Sequence, residues 1–214
     1  MIRALTLAVL TLPMPALAHP HIFVDTTHQL IFDAEGRLEA VRVTWDYDEL
    51  FSFALAVEEG YDTDADGHVT GEELVAFQTW DADWIDGYKG DIELFAGGVE
   101  LTLLPPTDWA ADWHDGRAVS IHTRRLAQPV DIAQGLVLRA FEPEFFTAYT
   151  ITAAPTYLGR DDCTGVVVSP DPDAVPDELS ERLLAMDADT TNDLVGVVDL
   201  AQFFADEVHV RCGD

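Results

Sequence analysis

His21-Ile-Phe-Val-Asp-Thr-Thr-His-Gln-Leu-Ile-Phe-Asp33, then Ala34-Glu35-Gly36, then Leu38-Glu-Ala-Val-Arg-Val-Thr-Trp45 is the stretch that sets the fold. Its first part alternates. Ile22, Val24, Thr26, His28 and Leu30 point to one side, and His21, Phe23, Asp25 and Thr27 to the other. A period of two is the strand signature, because successive Cβ atoms leave a strand on opposite faces. The Ala-Glu-Gly step supplies turn chemistry and Leu38–Trp45 returns, so the stretch predicts a β-hairpin. His19, His21 and Asp25 then share one face of the first strand.

Downstream the period changes. Leu50, Phe53, Ala54 and Val57 recur at three- and four-residue spacing, predicting a helix that Gly60 ends. Asp62-Thr-Asp-Ala-Asp-Gly-His-Val-Thr-Gly-Glu-Glu73 follows, and a second amphipathic segment carries Leu74, Phe77 and Trp80. The loop has the spacing of a twelve-residue EF-hand: Asp62, Asp64 and Asp66 at positions 1, 3 and 5, Gly67 at 6 and Glu73 at 12. Ca²⁺ takes about six to eight hard oxygen ligands, and alternating carboxylates ending in a bidentate glutamate supply them around a glycine turn. His68 would offer its backbone carbonyl and Thr70 would bind directly or through water. Asp187–Asp199 echoes the loop, but it is one residue too long and Asn192 stands at the glycine position, so it reads as a degenerate copy.

Strand signals resume at Ile92–Phe95 and Val99–Leu103, joined by Ala96-Gly97-Gly98 as a hairpin turn. Further strands are predicted at Val119–Thr123, Leu136–Phe141 and Thr147–Ala153. Pro105 to Gly116, which holds Trp109, Trp113 and His114, reads as a loop. A Pro/Asp-rich linker at 169–173 leads to two predicted helices, at about 177–186 and 198–208. The expected fold class is α+β: an antiparallel sheet or sandwich over 19–168, an EF-hand helix-loop-helix inserted at about 48–85, and a C-terminal helical segment over 169–214.

Upstream, Arg3 precedes an apolar run from Ala4 to Leu12, and Pro13 and Pro15 break it before Ala16-Leu17-Ala18. This is the pattern of a secretory signal peptide over residues 1–18, with His19 as the mature N-terminus. The run is shorter than the roughly 20 residues that span a bilayer, so no membrane insertion is expected after cleavage. The chain is therefore expected to be exported and periplasmic. Cys163 and Cys212 are the two cysteines, and in an oxidising compartment they read as a disulfide.

The 40 acidic residues outnumber the 11 basic ones, giving a formal net charge of -29. Nucleic acid would be repelled, and it is excluded as a partner.

Two imidazoles beside a processing site suit Zn²⁺, Cu²⁺ or Ni²⁺. The square-planar N-terminal mode needs a deprotonated amide at the second residue, and Pro20 has none. Side-chain coordination by His19 and His21 remains, completed from Asp25, His122 or His114. There is no Gly-x-Ser-x-Gly and no His-Glu-x-x-His, so the chain is not expected to be an enzyme.

The order of His-Pro-His-Ile-Phe-Val-Asp (19–25), Trp-Asp-Tyr-Asp-Glu (45–49), the Asp-x-Asp-x-Asp-Gly loop, Phe-Glu-Pro-Glu-Phe (141–145) and a terminal Cys resembles a periplasmic family of unknown function. Its members are described as periplasmic components of ABC-type transport systems. They are encoded beside NicO-type nickel/cobalt permeases and include the periplasmic partner of a zinc-uptake permease. The resemblance implies a metal-binding accessory protein that passes Zn²⁺, or Ni²⁺/Co²⁺, to an inner-membrane metal permease. A copper carrier or copper enzyme using the N-terminal His, and a purely structural calcium-binding interaction module, are the alternatives.

Overall fold

A computed structural model describes residues 20–85, 87–143, 146–171 and 204–213. The signal-peptide reading, His19, the helix expected at 177–186 and the acidic loop at 187–199 lie outside these residues. The described chain is mostly β-structure, with two short helices. Its strands are β1 (Ile22–Phe32), β2 (Leu38–Tyr47), β3 (Ile92–Ala96), β4 (Val99–Glu100), β5 (Thr107–His114), β6 (Arg117–Val130), β7 (Leu136–Ala140), β8 (Thr147–Ile151), β9 (Thr156–Leu158), β10 (Cys163–Val168) and β11 (Asp206–Cys212). The helices are α1 (Glu49–Glu58) and α2 (Gly71–Phe77).

The opening hairpin forms as its alternation predicts. β1 and β2 pair antiparallel from Val24↔Tyr47 to Phe32↔Leu38, and Val24, Thr26, His28 and Leu30 are buried. One sheet runs β5-β6-β2-β1-β8, with β9 also on β1, and the other runs β10-β11-β7-β3-β4. The expected purely antiparallel arrangement needs correction, because β8 and β9 both lie parallel to β1. Val43, Trp45 and Leu30 from the first sheet and Leu94, Leu138 and Val208 from the second join one hydrophobic cluster.

Three more expectations change. The segment read as a Trp-rich loop contains β5, in which Trp109, Ala111 and Trp113 are more buried than exposed Asp108 and Asp112. That alternation is genuine but is masked by three aspartates. Residues 206–208, read as the end of a helix, open β11, which inserts between β10 and β7 with Val208 and Val210 buried. The apolar ridge of α1 points the wrong way for a core helix. Leu50, Phe53 and Val57 are 76%, 61% and 54% exposed, while Ser52 and Ala56 are buried.

Small residues bring α1 close to the sheet. Ser52 Oγ donates to Asp48 O (2.7 Å) and accepts from the Ala118 amide of β6 (2.8 Å). Asp48 starts the helix: its Oδ1 accepts the Leu50 and Phe51 amides, both at 2.9 Å, and its Oδ2 accepts the Phe23 amide of β1 at 2.8 Å. Asp48→Ala removes the cap and the tie to β1 together. It is expected to cost about 1–2 kcal/mol, read as a lowered urea midpoint at unchanged m-value.

α2 is seated by Phe77, which is fully buried. Gln78 then covers the edge strand, donating to Ala111 O (2.7 Å) and accepting from Ala111 N (3.3 Å). One side chain thereby satisfies a backbone pair that an edge strand otherwise offers to another chain.

Candidate metal centre

Between α1 and α2, the chain turns through Asp62–Thr70. Ala65 at φ 60° and Gly67 at φ 83° both take left-handed backbone, which glycine, lacking a Cβ, adopts without strain. The bends fold three carboxylates inward. Asp62 Oδ1 and Oδ2 accept the Asp66 and Gly67 amides (3.1 and 3.0 Å), Asp64 Oδ1 accepts the Asp66 amide (3.2 Å) and Asp66 Oδ1 accepts the His68 amide (2.8 Å). Asp62, Asp64 and Asp66 each bring a carboxylate oxygen within 4.8 Å of the others. Among the described residues no other group of three or more His, Cys, Asp or Glu side chains does so.

Glu73 is not part of that group. Its Oε1 accepts the Thr63 amide (2.7 Å) and hydroxyl (2.6 Å), and its Oε2 accepts the Thr70 amide (3.2 Å) in a capping box that starts α2. Those hydrogen bonds, the Thr63 hydroxyl first, hold the Glu73 carboxyl below its ordinary range. The loop's last carboxylate therefore closes the loop end to end, from the residue after Asp62 to the start of α2.

The imidazoles expected to complete a transition-metal site are dispersed. His21 stands exposed just before β1, its amide donating to Phe146 O (2.8 Å) and its ring 4.8 Å from that of Phe146. Asp25 lies on the same outer face, but Arg117 Nη2 binds it at 3.0 Å. Arg117 Nε also binds Asp46 Oδ1 (2.7 Å), and Asp46 Oδ2 lies 3.4 Å from His114 Nε2. The outer face thus carries a row of polar groups, Asp25, Arg117, Asp46 and His114, in which a guanidinium already occupies the place between the two carboxylates.

His122 is on the opposite, inner face of the sheet. Its ring is fully buried beside Trp45 (4.7 Å), Trp84 (5.0 Å) and Trp109 (5.0 Å), and neither ring nitrogen has a hydrogen-bond partner. Burial first, and then Arg124 and His28, lower its pKa to about 3, so the ring is neutral. His122 and His21 are not brought together.

The inner face also holds a polar network that spacing did not reveal. Asp91 accepts from the hydroxyls of Tyr88 (2.7 Å) and Tyr149 (2.9 Å), and Asp81 accepts from Ser120 Oγ (2.7 Å). Burial raises both carboxyls from 3.8 to about 6. The one sequence sign of it is that Asp81 and Asp91 lie among aromatic residues, Trp80, Trp84 and Tyr88.

Titration of this network has a defined sign. A raised carboxyl favours the fold below its unfolded pKa of 3.8, and that contribution is lost as pH climbs through about 6. His28 and His122, both lowered to about 3, contribute above 6.5 and are lost as pH falls. Between about pH 4 and 6 the two pairs oppose each other. Asp81→Asn removes one carboxylate, so its stability relative to the parent chain should rise with pH over this window, by up to about 2 kcal/mol. Urea midpoints at several pH values check it; a difference that does not vary with pH would count against burial as the cause.

Cys163 and Cys212 are joined, as their even number predicts. A disulfide fits an oxidising compartment, and no helix among the described residues is long and apolar enough to cross a membrane. No curated protein matches the chain. The model of a family described as protein of unknown function (DUF1007) matches residues 4–212, nearly the whole length, and the chain belongs to that family.

Proposed function

We propose that this is an exported metal-binding accessory protein. In this reading a calcium ion holds the 62–73 loop, and the N-terminal imidazoles capture Zn²⁺, or Ni²⁺/Co²⁺, for an inner-membrane permease. The observation that carries the metal-binding reading is the convergence of Asp62, Asp64 and Asp66 within 4.8 Å in a loop of EF-hand spacing. Three carboxylates so close repel one another unless a cation neutralises them, and hard oxygens favour Ca²⁺. Asp62, Asp64 and Asp66 would hold it, with Glu73, the His68 carbonyl and Thr70. Its chemistry is charge neutralisation and stabilisation, not catalysis. Glu73 would bind it in competition with Thr63 and Thr70.

The transition-metal cargo rests on different support: His21 is exposed at the start of the first strand, directly after His19 and Pro20. Asp25 is neutralised by Arg117 and His122 is walled in, so an exposed site of few ligands is the form this capture takes. Few-ligand sites release as readily as they bind, which suits hand-over.

Native mass spectrometry of the mature chain with Ca²⁺ and Zn²⁺ tests both parts. One Ca²⁺ should bind, and Glu73→Gln should weaken it roughly 100-fold, since it removes the bidentate ligand. A Ca²⁺ concentration tenfold above Kd adds about 1.4 kcal/mol of stability. One Zn²⁺ should be lost in His19→Ala/His21→Ala while Ca²⁺ is retained. Zn²⁺ binding that survives both substitutions would refute the cargo site and leave the calcium site standing.

A further inference from the structure

We propose that the outward ridge of α1 and the groove beside it dock a basic amphipathic helix of a partner protein. Leu50, Phe53 and Val57 fall at i, i+3 and i+7 and form one apolar stripe, which a helix of a globular protein ordinarily turns to its core. Here α1 meets β6 through Ser52 and leaves the stripe 76%, 61% and 54% exposed. Beside the ridge lies a groove of about 300 Å³ lined by Glu49, Phe53, Ala56, Asp62, Trp113 and Asp115. Contiguous exposed apolar surface rimmed by polar groups marks an interaction site.

Charge selects the occupant. Apart from the carboxylates assigned to the ion, residues 49–77 hold Glu49, Glu58, Glu59 and Glu72 and no Lys or Arg. A second copy would bring the same rim and a formal charge of -29 against its like. The chain's own residues 172–203 contain eight carboxylates and one arginine, again the wrong sign. Anionic lipid surfaces are repelled for the same reason. What fits is a helix with apolar residues at i, i+3 or i+4, and i+7 and with Lys or Arg on its flanks, the helix-in-groove mode of recognition. This inference does not depend on the transition-metal site.

The probe is a fluorescein-labelled helix of about 15 residues, built only of Leu at helical spacing and Lys, with a Glu-for-Lys version as control. Fluorescence anisotropy with the full mature chain at about 150 mM salt should show binding of the Lys peptide alone. Leu50→Gln/Phe53→Gln/Val57→Gln should weaken it by roughly tenfold or more. Equal affinity of the variant would mean general attraction to an acidic surface, and would overturn the proposal. So would absence of binding, or a concentration-dependent dimer of the parent chain that the variant loses in sedimentation. A variant whose Tm falls by more than about 5 °C would show that the chain already covers its own ridge, and would overturn it too.

Discussion

Removing the Cys163–Cys212 bridge, by reduction or as Cys163→Ala/Cys212→Ala, is expected to lower the thermal midpoint by about 10 °C. The two cysteines are register partners in the β10–β11 pair and are separated by 49 residues in sequence. Closing a loop of that length removes entropy from the unfolded chain equivalent to about 4 kcal/mol at room temperature. For a chain of this size each kcal/mol moves the midpoint by about 2–4 °C. The effect is large because of where the bridge sits. β11 is the strand through which β10 joins the second sheet, and it returns from a long connection, so the unbridged chain must find that register unaided. Calorimetry of the oxidised, reduced and doubly substituted proteins decides it. Agreement of the last two, both well below the first, supports the loop-entropy account; a shift below about 2 °C would mean that the unfolded chain already holds the two ends together.

What was legible in the sequence was what is local. The β1–β2 hairpin was readable because each residue's face follows from its neighbour's, and Val24, Thr26, His28 and Leu30 are buried as the alternation requires. The carboxylate cluster was readable for the same reason, since Asp62, Asp64 and Asp66 lie within five residues of one another. Glu73 shows the limit even there: its spacing fits a metal ligand, while its carboxylate is bonded to Thr63 and Thr70. Partners distant in sequence were not readable. Whether His122 faces His21 depends on the register of β6 against β2, fixed by the pairing Val43↔His122, which no spacing encodes. The claim of Arg117 on Asp25 is likewise a cross-strand event over 92 residues.

Two misreadings have physical causes. In α1 the apolar period correctly identified a helix, but period does not say which face is inward. Ser52 and Ala56 win the buried side because their size allows close approach and because Ser52 satisfies an amide of β6. In β11, Glu207, His209 and Arg211 alternate with Val208 and Val210, a strand pattern that the preceding Leu200 and Phe203 disguised as the continuation of a helix.

Phe77→Ala is expected to be the most damaging single substitution in the helix-loop-helix, at about 4 kcal/mol. Phe77 is fully buried and meets three rings: Tyr61 from the exit of α1 at 5.0 Å, Trp80 at 5.5 Å and Trp113 of β5 at 5.9 Å. Tyr61 immediately precedes Asp62, and Phe77 lies one turn after Glu73, so this one side chain fastens both ends of the carboxylate loop to the sheet. Deleting it opens a cavity among aromatics too large to collapse. Phe77→Leu keeps most of the volume and should cost only about 1–1.5 kcal/mol. The alanine variant should lower the midpoint by about 10 °C and weaken Ca²⁺ binding with it, because the ligands then spend part of their time unseated. Hydrogen exchange locates the damage: amides of α2 should lose protection well ahead of those in β1 and β2. A midpoint within about 3 °C of the parent chain would mean that the loop is not held by the sheet at all, and its carboxylates would then have to be gathered by the ion rather than presented to it.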